Sequence, residues 1–170
     1  MEPLHLAIPV GRYHQPQGHS NDCAPFAVAI VVNALTGSQI DGAILAEVMN
    51  QPRRWLGPLP IPVIRRIPNW ATFPWGITDQ LQRHDIAARW RFGADEEDLF
   101  AALKENRIAM PIVGSLWPLW AHVKILAAHD PERGWGFVDP ARSDGSLSWE
   151  SERQFGSSWA NYAHLLVETL

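Results

Sequence analysis

The chain has little cysteine: one, Cys23, in 170 residues. A single thiol excludes an internal disulfide and a multi-cysteine zinc cluster, and no other metal site or cofactor is expected. Charge of one sign is also scarce. A formal net charge of −4 gives no general attraction for nucleic acid or an anionic membrane. Long apolar runs are missing, the longest being Pro25–Val32, far short of the ~20 residues a membrane span needs. Met1-Glu2-Pro3-Leu4-His5 has no basic run and no apolar run behind it, so a signal peptide is not expected. No internal repeat or low-complexity tract occurs. These absences point to a soluble, cytoplasmic protein with a free thiol. Hydrophobic content of 46% and a length of 170 residues suit one globular domain over 1–170.

What is present centres on Gln17-Gly18-His19-Ser20-Asn21-Asp22-Cys23 and the apolar run that follows it. That run predicts a helix over 23–35, buried nearly all round. Ser20, Asn21 or Asp22 is positioned to cap it, Pro25 sits in its first turn and Thr36-Gly37 ends it. Cys23 then stands at a helix N-terminus, where free backbone N–H groups and the helix dipole favour negative charge on sulfur. Gln17, six positions upstream, is placed to fold back and donate a hydrogen bond to a developing oxyanion.

A helix over 41–49 follows, with Ile44, Leu45 and Val48 as its inward face. Residues 52–75 hold six prolines, four arginines (53, 54, 65, 66) with no acid among them, and Trp55, Trp70 and Trp75. A long connection of this kind is expected to border the cleft and help select substrate. Its basic–aromatic interleaving is outweighed by the acidic balance of the whole chain as a nucleic-acid signal. His14 and His19 read as exposed loop histidines.

Helices are expected over 76–84 and from Asp95 onward, where four acids suit the positive helix end. A strand over 86–92 separates them. Beyond Ile108 the pattern becomes strands: 110–114, a turn at 117–120, then 122–128 and 135–139. The last two form a hairpin that brings His122 and Asp139 to one end. Lys124 shares the strand face of His122 if the alternation is regular, as a charge at the cleft edge or a side chain snorkelling to solvent. A short helix around 150–155 and a strand over 162–167 close the chain.

Gln, five residues, then Asp-Cys-small-Pro heading an apolar helix resembles papain-like cysteine peptidases. Among them it is most similar to the bacteriocin-processing (double-glycine leader) peptidases. Trp120-Ala121-His122-Val123-Lys124-Ile125-Leu126 and Gly136-Phe137-Val138-Asp139-Pro140 match that family in order and spacing. The resemblance spans roughly Gly11 to the C-terminus. It implies Cys23 as nucleophile, His122 as base, Asp139 as its orienter and Gln17 as oxyanion donor. Trp120 and Lys124, next to His122 in the chain, are expected beside the substrate. Two departures stand out: Ala24 where the family has Gly, and Lys124 in a strand that is otherwise apolar.

The expected fold is therefore α+β, a helical front half packed on an antiparallel sheet from the rear half. The expected activity is hydrolysis of a peptide bond in a peptide or protein substrate. Acyl or amide transfer uses the same Cys-His-Asp order, and a non-catalytic peptide-binding module would share the fold. Gln17 and the complete set of four residues favour the hydrolase.

Overall fold

A computed structural model describes residues 2–54 and 62–170; Trp55, part of the proline-rich segment, lies outside the described residues. The chain opens with β1 (Leu4–His5) and a 3-10 turn at Val10–Tyr13. Helix α1 (Cys23–Thr36) follows, then α2 (Gly42–Asn50). Short pairs come next, β2 (Arg53–Arg54) with β3 (Pro62–Val63) and β4 (Arg66–Ile67) with β5 (Ala71–Thr72). The remainder is α3 (Pro74–Arg83), β6 (Ala88–Arg91), α4 (Glu96–Lys104), β7 (Ala109–Leu116), β8 (Leu119–Val123), β9 (Ile125–Asp130), β10 (Gly134–Val138), β11 (Ser148–Glu150), α5 (Glu152–Ala160) and β12 (Leu166–Thr169).

Helix α1 is the apolar centre. Val28, Ala29, Ile30, Val31 and Val32 are fully buried, so the helix gains its stability from packing on every side rather than from an amphipathic stripe. Gly37 ends it in the left-handed conformation (φ 72°), which a glycine adopts without a Cβ penalty. In α2 the expected inward face is rotated. Leu45, Ala46 and Met49 are buried, whereas Ile44 and Val48 are exposed. Asp41 caps α2 by accepting from the N–H groups of Ala43 and Ile44, and that start fixes which residues face α1.

The rear half makes two antiparallel four-stranded sheets rather than one, ordered β1-β9-β10-β11 and β6-β12-β7-β8. The strand expected over 122–128 is in fact two. β8 pairs with β7 in one sheet, and β9 pairs with β10 in the other. Lys124 is the residue between them, where the chain passes from sheet to sheet. Gly134 (φ 83°) makes the return into β10, and a Cβ there would lie 2.3 Å from the Glu150 carbonyl oxygen. Asp95 and Asp98 form a reciprocal capping box on α4, as the acidic run suggested.

Candidate active site

Cys23 is the first residue of α1, half-buried, and it lines a cavity of about 210 Å3 together with Gln17, His122 and Trp120. Trp70, Ala71 and Thr72 of the β4–β5 hairpin form a facing part of that lining, with Leu119 and Ile112 from the β7–β8 hairpin. Among the lining residues, His122 is the one basic side chain, and none is a carboxylate.

His122 lies on β8, and its Nε2 donates to Asp139 Oδ1 at 2.6 Å. That bond assigns the ring's proton-bearing Nε2 to Asp139 and leaves Nδ1 for the Cys23 sulfur. Burial opposes a charge on His122. Hydrogen bonds to Asp139 and to Cys23 outweigh it and raise the imidazole from 6.5 to about 9. Asp139 is also buried, which opposes its ionisation. The His122 bond, the Ala141 N–H (2.8 Å) and the Lys124 charge prevail and hold its carboxyl below the usual range.

The expected hairpin forms from Ile125 to Val138, with Asp139 directly after it, but His122 stands outside it on β8 and pairs with Val113 of β7. Lys124, however, is buried, forms an ion pair with Glu150 and lies 3.9 Å from Asp139 Oδ2. It is thus neither a cleft-edge charge nor a snorkelling side chain. Regular alternation fails at the sheet crossing, which turns Lys124 toward Glu150 and Asp139.

The Gln17 loop is pinned to the same turn. Its backbone N–H donates to the Pro140 carbonyl at 2.8 Å, and its Nε2 donates to the Ser20 carbonyl at 2.7 Å. An amide nitrogen carries two N–H donors, so one remains for a ligand in the cavity that Gln17 shares with Cys23. His14 is half-buried rather than exposed and donates from Nε2 to the Asp139 carbonyl (3.0 Å), holding Asp139 from the loop side. His19 is exposed as expected.

Asp22 does not cap α1 with its side chain. Its Oδ1 instead pairs with Arg66, whose side chain is 2% exposed. Arg65, next along, is buried as well. It donates to the Gln51 carbonyl and lies 3.3 Å from Asp79, so both arginines find acids outside their own segment. Trp70 and Trp75 are partly exposed rather than core residues, and Trp70 reaches the cleft. Beneath the β7–β8 hairpin, Tyr162 Oη donates to the Trp120 carbonyl (2.7 Å) and Asn161 Nδ2 to the Gly114 carbonyl (2.8 Å). Neither residue carries a sequence signal that marks it out.

No helix among the described residues is long and apolar enough to cross a membrane. No family model matches the chain, and no curated protein does. Among solved structures, the fold is similar to a crystal structure from Bacillus anthracis described as a C39-like peptidase. The TM-score is 0.73 at 11% identity, over 100% of this chain and 98% of that one. At that identity the likeness speaks to the fold alone: this chain has the α+β, papain-like fold shared with that structure.

Proposed function

We propose that the chain is a cysteine peptidase that cleaves a peptide bond through a thioester acyl-enzyme. The observation that carries this reading is the placement of His122 between Asp139 and Cys23 on the wall of one cavity. The Cys23 sulfur attacks the scissile carbonyl carbon, and the oxygen gathers negative charge. The Cys23 backbone N–H and the second N–H of Gln17, which shares the cavity, are the donors assigned to receive it. His122, protonated at neutral pH, gives its Nδ1 proton to the leaving amine as the C–N bond breaks. It then removes a proton from water, whose oxygen attacks the thioester; the C–S bond breaks, releasing the acid and restoring the thiolate beside a protonated His122.

The cavity's uncharged lining of Trp70, Trp120, Leu119 and Ile112 suits neutral side chains around the scissile bond. A leader or other small peptide in the cytoplasm is the substrate class we propose. The test is incubation with a neutral-peptide mixture followed by mass spectrometry of products and of the intact protein. Cleavage, with a transient acyl adduct on Cys23 and neither in Cys23→Ala, is the expected result. Absence of cleavage and adduct in the wild type overturns the proposal.

A further inference from the structure

The residue directly before the proposed nucleophile is an acid. An unscreened carboxylate one residue from Cys23 opposes a negative sulfur by like-charge repulsion, in a site where burial strengthens such terms. The structure supplies a counter-charge from far along the chain. Arg66, on β4, reaches Asp22 Oδ1 and is almost fully buried. A second bond joins the same two segments, since Asn21 Nδ2 donates to the Asn69 carbonyl at 2.8 Å in the turn between β4 and β5. The hairpin tied down in this way carries Trp70, Ala71 and Thr72, which line the cavity.

Charged groups reach the neighbourhood of Cys23 from three segments of the chain. His122 approaches from β8, with Asp139 and Lys124 behind it. Asp22 belongs to the sulfur's own loop, and Arg66 comes from the hairpin. The first group is balanced within itself, because Lys124 is matched by Glu150 and Asp139 by His122. Arg66 is the one cation on Asp22 among the described residues. A buried ion pair adds little net stability over an apolar replacement, so its chief consequence here is where charge sits.

We infer that Arg66 is a positioning residue for the Cys23 chemistry, neutralising Asp22 so that the sulfur next to it can carry charge. Arg66 is not among the residues that line the cavity. It acts through Asp22, and it also fixes the hairpin that walls the cleft. This inference rests on Cys23 being the nucleophile.

The experiment is the pH profile of Cys23 alkylation by iodoacetamide in four proteins: wild type, Arg66→Gln, Asp22→Asn and the double variant, with His122→Ala as reference. Arg66→Gln leaves Asp22 uncompensated and is expected to move the labelling profile up by about one pH unit, roughly tenfold slower at pH 6.5. The double variant removes both charges and is expected to return within about twofold of wild type. A purely structural role would leave the double variant as slow as Arg66→Gln, and that result overturns the inference, as does a wild-type profile in Arg66→Gln. Should Arg66→Gln fail to fold, Asp22→Asn decides: labelling at least as fast as wild type supports the inference, and slower labelling overturns it. His122→Ala separates the two levels. A profile insensitive to His122 defeats the nucleophile assignment itself, whereas sensitivity to His122 without sensitivity to Arg66 defeats only this inference.

Discussion

His122 Nε2 lies 2.6 Å from Asp139 Oδ1 although the two residues sit in different sheets' chain segments. His122 pairs with Val113, one residue before the end of β8, and Asp139 follows β10, which pairs with β9. The chain passes between sheets at Lys124, so His122 from β8 and Asp139 from the end of the β9–β10 hairpin meet across that passage. The cavity lies between the β7–β8 hairpin, the β4–β5 hairpin and the N-terminus of α1.

Gln17→Ala should slow turnover by roughly a hundredfold or more while leaving KM nearly unchanged, because the amide acts on charge that develops only in the transition state. Steady-state kinetics on any cleaved peptide checks this. Turnover equal to wild type would remove Gln17 from the site.

Trp120→Ala should act the other way. The side chain is 48% exposed at the cavity rim and its backbone is held by Tyr162. Losing the indole should raise KM several-fold with kcat close to wild type, since the removed contact is shared by ground and transition states. An unchanged KM would show that substrate does not cross that rim.

Lys124→Met should destabilise the protein by about 3–5 kcal/mol, because Glu150 is left buried without a cation and Asp139 loses a supporting charge. Adding Glu150→Gln should recover most of the loss, since removing both charges together is close to neutral. Urea denaturation of the two variants measures it. A single variant as stable as wild type would mean the pair contributes no more than a surface bridge.

The history of Lys124 shows what was legible in the sequence and what was not. Local signals held: the apolar run after Cys23, Gly37 as a left-handed cap, the acidic start of α4 and the β9–β10 return all formed as their residues dictate. Lys124 was misread because period-two alternation assumes a continuous strand, and this one changes sheet at that residue. Ile44 and Val48 were misplaced for a related reason. Both lie on a face at helical spacing with Leu45, but contact with α1 selects Leu45, Ala46 and Met49. The Arg66–Asp22 pair spans 44 positions, and no local pattern links residues that far apart. Asp22 could be seen as a cap from its place in the sequence, whereas its true partner comes from tertiary structure alone.

Stability should depend on pH through His122. Its folded value of about 9 lies above the ordinary 6.5, so its contribution is complete below pH 6.5 and lost as pH rises through 9. The shift corresponds to roughly 3 kcal/mol at most. Thermal midpoints should therefore fall between pH 6.5 and 9 in the wild type and change less in His122→Asn. A flat wild-type curve over that window would contradict the shift.

The most direct measurement is the rate of Cys23 alkylation by iodoacetamide across pH, in wild type and His122→Ala. An activated Cys–His pair gives fast labelling that persists well below the free-thiol value of about 8.5 and is lost in the variant. Slow labelling that follows an ordinary thiol and is indifferent to His122 would mean a structural cysteine, and the peptidase assignment would be wrong.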